Sequence, residues 1–429
     1  MKTACLGDWS SRRAPTAILA AALAAVIALA AGCTTRLPGN AVKSGGPAPP
    51  AADVALLDPG NYLRAPRPPL GVVANDDAGH RVEAHRMAQA VVGPWEVDNG
   101  LRSVQGHQAP TTALPNTASL SVLVFGTAMA DQAGRHHFLV GFASGRASLT
   151  PATGQPSPPD KPKILDNAVL RFASAADATA AAAAMAATNL AIPRTDASGP
   201  VAANRLTIAR YPTTLVNVAA VAQGAEAVAF TARGPYVLYQ YAGSKDNQQA
   251  VADLITKTLD LQVPLIDHFQ APPADQPASL PADPTGLLAR TVPATDPDVN
   301  HAAVYTPRGA LHFRADPVAT QKMYADAGIQ GVSVDRTTVY EAIDPTAALK
   351  ATEWLVRMDV PYLGYQSAAG ITGLPSARCF DRGASSGDLA AVRYLCIAAA
   401  GRYAIKATAA QEVDAHQVMA SQYLMLTAA

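Results

Sequence analysis

Val228-Ala229-Phe230-Thr231-Ala232-Arg233-Gly234-Pro235-Tyr236-Val237-Leu238-Tyr239-Gln240-Tyr241 reads as two strands, Val228 to Thr231 and Tyr236 to Tyr241, folded into a hairpin across Gly234-Pro235. β-Branched and aromatic residues suit a pleated, half-buried surface, and the glycine supplies the turn. A helix follows, striped by Val251, Leu254, Ile255 and Leu259. The same order returns later: Leu395 to Ala398 and Tyr403 to Lys406 pair across Gly401, and a final helix carries Ala415, Val418, Met419, Met425 and Leu426. Gly234 and Gly401, Tyr236 and Tyr403, Val251 and Val418, and Leu259 and Leu426 are all 167 residues apart, as are Asp177 and Asp344. A constant offset over elements of matching type points to an internal duplication. The fold class this predicts is α+β: two similar tandem units, each a small, mostly antiparallel sheet with helices packed on one face.

Working outward, Ala84, Met87, Ala88, Val91 and Val92 have the spacing of an amphipathic helix. Leu120 to Phe125 and Phe138 to Phe142 read as strands around a polar turn at Asp131-Gln132-Ala133-Gly134. Ala168 to Phe172 is a strand leading to Asp177 and an Ala-rich helix. In the second unit Val339-Tyr340 leads to Asp344-Pro345, an N-cap with Pro at the first helical position, and a helix to about Val356.

The N-terminus is a targeting segment. Lys2, Arg12 and Arg13 precede an uncharged apolar run from Ala14 to Ala31 that ends Leu29-Ala30-Ala31-Gly32-Cys33, the architecture of a signal peptide over residues 1–32. The end resembles a lipobox, with Ala30 where Leu is more usual, so Cys33 is the expected lipidation site. The chain is then an exported bacterial lipoprotein, extracytoplasmic and lipid-anchored to the outer face of the cell membrane. An uncleaved signal anchor is the alternative, but the run sits at the lower edge of spanning length. Residues 33–52 are rich in Pro, Gly and Ser and read as a flexible tether. At ~3.3 Å per residue it would reach ~60 Å. Residues 53–270 form the first domain, 271–284 a second Pro-rich linker and 285–429 the second domain; Thr150 to Lys163 is a long loop within the first.

Composition limits the partners. With 49% hydrophobic and 15% charged residues the chain has enough apolar surface for packed cores. Removing residues 1–32 takes away three basic residues and Asp8, leaving two more acidic than basic residues, so nothing favours nucleic acid. The expected partners are the membrane, through the N-terminal lipid, and an envelope protein, lipid or glycan. Once Cys5 leaves with the signal and Cys33 carries lipid, Cys379 and Cys396 remain, and outside the cell such a pair reads as a disulfide. It would stabilise the fold by about 3 kcal/mol in the chain-entropy model. The competing reading, a redox pair, lacks the usual Cys-x-x-Cys spacing. By the offset, Pro212 would take the place of Cys379 in the first unit.

Several stretches carry a family resemblance: the lipobox; Asn61-Tyr62 before Pro66-Arg67-Pro68-Pro69-Leu70-Gly71; Val92-Gly93-Pro94-Trp95-Glu96-Val97-Asp98; Cys379-Phe380; Val392-Arg393-Tyr394-Leu395-Cys396; and Gly401-Arg402-Tyr403. Together they resemble a family of uncharacterised surface lipoproteins from mycobacteria and related actinobacteria. The resemblance covers most of the mature chain and implies location and architecture, with no activity to carry over. The Cys-strand and Gly-Arg-Tyr-strand-helix ending is also loosely similar to extracellular sensor domains of mycobacterial kinases, without the second disulfide expected there.

Catalytic and metal signals are weak. Gly383-Ala384-Ser385-Ser386-Gly387 matches the hydrolase pattern Gly-x-Ser-x-Gly, which needs a strand before the serine and a helix after it. Here Asp381 and Arg382 precede it and a strand bearing Cys396 follows, while Asp414 and His416 lie close together on a helix. A polar loop is the simpler reading. His80 and His85 would point about 140° apart on a helix. His85 falls opposite the apolar stripe, on a face expected to be solvated. His136 and His137 are adjacent on an expected strand and would face opposite ways. Asp296-Pro297-Asp298 lacks the oxygens and glycine of a calcium loop. No zinc-type spacing and no phosphate loop occurs, so no metal and no cofactor is expected. Trp95, Trp354 and the tyrosines 236, 239 and 241 suit packing better than ligand stacking.

Three functions compete: a non-catalytic envelope module that binds or senses a ligand, a structural lipoprotein that spaces envelope partners, and a serine hydrolase using Ser385. The first is favoured, and the cleft around the linker from Ala271 to Pro284 is the default ligand site because apolar pockets form between domains.

Overall fold

A computed structural model describes residues 51–104, 111–123, 126–148, 163–196, 199–222, 224–294, 302–362, 364–383 and 392–428. Cys33, the tether up to residue 50, Thr150 to Pro162, Asp296 to Asp298 and Ser385 lie outside the described residues. From Pro49 onward the chain forms one compact unit built around two large antiparallel sheets.

The first half contributes β1 (Leu101–Ser103), β2 (Thr112–Leu114), β3 (Phe138–Ser148), β4 (Lys163–Phe172), a small separate hairpin of β5 (Arg194–Asp196) and β6 (Gly199–Val201), β7 (Asn204–Leu206), β8 (Leu215–Val221), β9 (Gly224–Arg233) and β10 (Tyr236–Ser244). The second half contributes β11 (Ala303–Tyr305), β12 (Gly331–Val334), β13 (Thr337–Glu341), β14 (Gln366–Ser367), β15 (Arg378–Asp381), β16 (Tyr394–Ala400) and β17 (Tyr403–Ala409). The first sheet runs β1-β3-β4-β10-β9-β8-β7, with β2 also on β3, and the second runs β11-β12-β13-β17-β16-β15-β14. From β3 and from β12 the two orders match strand for strand.

The principal helices are α1 (Asp76–Met87), α2 (Gly126–Arg135), α3 (Ala175–Ala191), α4 (Gln248–Asp267), α5 (Pro317–Asp326), α6 (Pro345–Tyr362) and α7 (Glu412–Thr427). Their placement repeats too: α2 and α5 precede β3 and β12, α3 and α6 follow β4 and β13, and α4 and α7 follow the two hairpins. Gly234 and Gly401 turn those hairpins at φ 53° and 54°, a left-handed conformation that an L side chain resists.

The register corrects the single offset. Tyr236 lies opposite Arg233 and Tyr403 opposite Ala400, so the hairpins do align 167 apart. One strand earlier, Arg171 and Glu341 face those tyrosines, a shift of 170. Hence Ser174, which accepts from Asp177 N–H, is the N-cap equivalent to Asp344, which accepts from Ala347 N–H; Asp177 is not. In the closing helices the shift is 160. Gln262 accepts from Val92 N–H and donates to Ala90 C=O, and Gln422 accepts from Val292 N–H and donates to Arg290 C=O. Asn167 and Thr337, themselves 170 apart, each donate to the same glutamine oxygen. Cys396 corresponds to Ala229, whose partner is Val216, so Val216 and not Pro212 takes the place of Cys379.

Helices cover both faces of each sheet, not one. On β9, Ala227 and Ala229 pack toward α4 while Val228 and Phe230 pack toward α3. On β16, Leu395 and Ile397 join the core of α6, and Cys396 and Ala398 that of α7. Strands apolar at both parities are buried on both sides. One of these cores runs through both halves: Trp95 and Phe142 from the first share it with Tyr305, Leu311, Tyr340 and Leu355 from the second.

Two local readings also change. Leu120 lies in a 3-10 turn, Thr117–Val122, capped by Asn116, and the expected turn at Asp131 to Gly134 is part of α2. Met129, Ala130 and Ala133 are buried at helical spacing, and the polar residues between them face outward. The first helix starts earlier than its apolar stripe and ends at Met87, because Val92 gives its N–H to Gln262 instead of a helical carbonyl.

Candidate functional site

The halves meet around α1, and an apolar cleft of about 350 Å³ opens there. One wall is the segment Leu70 to Ala74, held antiparallel to residues 280–282 by Val73 N–H to Leu280 C=O (3.0 Å) and Ala282 N–H to Gly71 C=O (2.9 Å). The floor is one face of α1: Ala78, Arg81, Val82 and His85, at helical spacing. The far wall is Ala303 and Val304 on β11, with Pro284 and Leu288 closing the end. Asn75 starts α1 here by accepting from Ala78 N–H (2.9 Å). Gly79 lets the helix lie against the next segment, since a Cβ there would sit 2.1 Å from Pro277 O. Val72, 66% exposed, presents an apolar side chain that nothing in the fold covers.

Polar contacts join the halves, one of them at the cleft floor. His85 is buried and its Nδ1 hydrogen-bonds Tyr305 Oη at 2.7 Å, with the rings edge to face. This corrects the expectation of a solvated His85: α1 is packed on that side by β11 of the other half, which no pattern local to the helix reveals. Arg308 forms a two-pronged ion pair with Glu96 (2.8 and 2.9 Å). The fully buried Arg146 crosses from β3 to donate to His312 C=O (2.6 Å) and Arg314 C=O (3.1 Å). His312 donates from Nε2 to Ala88 C=O (3.0 Å) and accepts at Nδ1 from Ser144 (2.8 Å). Burial, then the Arg308 and Arg146 charges, push its pKa down to about 3, so the ring is neutral.

Two arginines line the cleft and, among the described residues, no acidic residue does. Arg86 donates to Gln270 C=O (3.1 Å) and lies by the Phe269 ring. Arg81 is half-exposed and makes no hydrogen bond or ion pair with a described residue. Two further hollows adjoin, one of about 200 Å³ under Thr306 and Gln330 and a wider one of about 710 Å³ against Pro66 and Arg290.

The other residues singled out in the sequence serve the fold. Cys379 and Cys396 form the disulfide. His416 lies beside it, the one such group of His, Cys and acidic side chains among the described residues, but joined sulfurs offer a metal no thiolate. Asp414 is engaged by Tyr62 Oη and Arg336 (2.7 Å each), not by His416. His136 and His137 lie on the turn before β3 rather than on a strand, and His137 pairs with Asp177. His80 is half-exposed. Trp95 is core, its ring against His312, and Trp354 stacks with Arg357. Tyr236 points to one face of the first sheet, Tyr239 and Tyr241 to the other, all buried.

Sequence reasoning missed Asp166. It is 1% exposed, its carboxylate oxygens have no hydrogen-bond partner, and burial raises its pKa to about 8. Its one signal was a charge inside the apolar run from Ile164 to Phe172.

The fold defines the chain as a fused pair of antiparallel α+β units with a cleft between them. The domain described as Domain of unknown function (DUF7373) N-terminal matches residues 70–282, and Domain of unknown function (DUF7373) C-terminal matches residues 287–429. The chain belongs to the DUF7373 family. Among solved structures it is similar to the extracellular domain of PknH from Mycobacterium tuberculosis, at 15% identity over 46% of this chain and 100% of that one, with a TM-score of 0.29, too low to bear on function. No curated protein matches. Among the described residues no helix is long and apolar enough to cross a membrane.

Proposed function

We propose that this protein is a non-catalytic binding module of the cell envelope, exported, anchored through lipid on Cys33, and holding an apolar ligand in the cleft between its halves. The observation that carries the reading is the cleft itself: both halves supply its walls, it falls within the volume range of small-molecule sites, and Val72 stands exposed in it. The buried Arg146 and His312 and the solvent-facing Arg308–Glu96 pair join the halves, which would hold those walls in place without a ligand and lower the cost of binding. The signal segment and the tether favour a body working at a distance from the membrane surface.

Native mass spectrometry of the folded mature protein after gentle purification tests the ligand, with a bound small molecule expected and a bare mass counting against it. The anchor has its own test. Globomycin should block processing of the precursor, and labelled palmitate should enter the wild type but not Cys33→Ala.

A further inference from the structure

We infer that the ligand of the cleft is a single-chain amphiphile with an anionic headgroup, and that Arg81 reads its charge. This rests on the reading of the cleft as the ligand site. The trough between Val72, Val82 and Val304 is apolar and suits an acyl chain. Among the described residues its only charged lining groups are Arg81 and Arg86, with His85 committed to Tyr305. Asp76 and Asp77, on the first turn of α1, are exposed and do not line it.

A guanidinium beside an apolar trough, with no carboxylate among the described lining residues, is complementary to a carboxylate or phosphate, which it can grip with two parallel hydrogen bonds. A cationic headgroup would meet two like charges, and an uncharged one would leave Arg81 unused. Arg86 already gives a hydrogen bond to Gln270, so Arg81 is the group free to pair. It stands one turn before His85 on α1, above the floor the chain would lie on.

The test is displacement of a dansylated fatty acid from the full mature protein by palmitate, lysophosphatidate and monopalmitin, each below its micelle concentration. Both anionic ligands should displace the probe at concentrations about tenfold lower than monopalmitin, and added salt should weaken only the anionic ones. Palmitate against lysophosphatidate tells which anion is preferred. Arg81→Gln should erase the advantage without lowering monopalmitin affinity, and Ala78→Trp, which fills the trough, should abolish all three. If Ala78→Trp blocks binding while charged and neutral ligands bind alike, the inference fails and the cleft reading stands. If none of the ligands displaces the probe, or Ala78→Trp changes nothing, the cleft reading fails with it.

Discussion

The two halves share one strand order and reinforce it differently at the same point. In the second sheet Cys379 faces Cys396 across β15 and β16 and the two are bonded; in the first, Val216 faces Ala229 at the equivalent positions and packs against α4. Strand length accounts for the contrast. β3 and β4 are 11 and 10 residues long, whereas β12 and β13 have 4 and 5, so the second sheet has far less ladder to hold it and gains a covalent tie. Both halves keep the same noncovalent clamp: a buried glutamine on the closing helix grips the segment that enters the unit.

Breaking that clamp should have the largest effect. Gln262→Ala leaves Val92 N–H, Ala90 C=O and the Asn167 amide short of a partner, and Gln422→Ala does the same to Val292, Arg290 and Thr337. Each should lower stability in urea melts by about 4 kcal/mol, since an orphaned buried polar group costs ~1–3 kcal/mol. A large loss in one half and none in the other would show that the glutamines are not equivalent.

Removing the disulfide comes next. Cys379→Ala with Cys396→Val should cost about 3 kcal/mol, as should reduction of the wild type. The converse sharpens the comparison: Val216→Cys with Ala229→Cys should form a bridge in the first sheet, and mass spectrometry with and without reductant would detect it. The gain should be smaller, roughly 2 kcal/mol, because an introduced bridge rarely meets ideal geometry and so falls short of the loop-entropy limit.

The halves should also differ in pH dependence. Asp166 has a folded pKa raised to about 8 by burial, and the unfolded chain ionises near ~3.9. Stability from this group is therefore complete below pH ~4 and is lost as pH rises through about 8. The residue at its place in the second half is Arg336, which is bonded to Asp414, so Asp166→Asn alone should flatten the alkaline limb. His312 acts in the opposite sense. Its folded pKa is depressed to about 3, so stability falls as pH drops below ~6.5 and the unfolded chain takes up the proton. Urea midpoints measured from pH 3 to 9 would separate the two limbs.

Much of the fold was legible because local chemistry was enough for it. The hairpins at Gly234 and Gly401, the cap at Asp344 and the cysteine pair announce themselves within a few residues. What was hidden depends on partners distant in sequence. Burial of His85 is imposed by β11, the second helical layer on each sheet follows from apolar residues of both parities, and the drift from 170 to 160 in the repeat comes from connections of unequal length. A cleft does open beside the linker, with Ala282 and Pro284 in its lining, while Arg81 carries no signal in the local sequence.

Val72 offers the most direct test that the space between the halves is a binding site. Introduced by Val72→Cys, a thiol there should react readily with a maleimide in the free protein and become protected when palmitate is added. An unchanged labelling rate at saturating palmitate, with the probe displaced all the same, would mean that the ligand binds somewhere else.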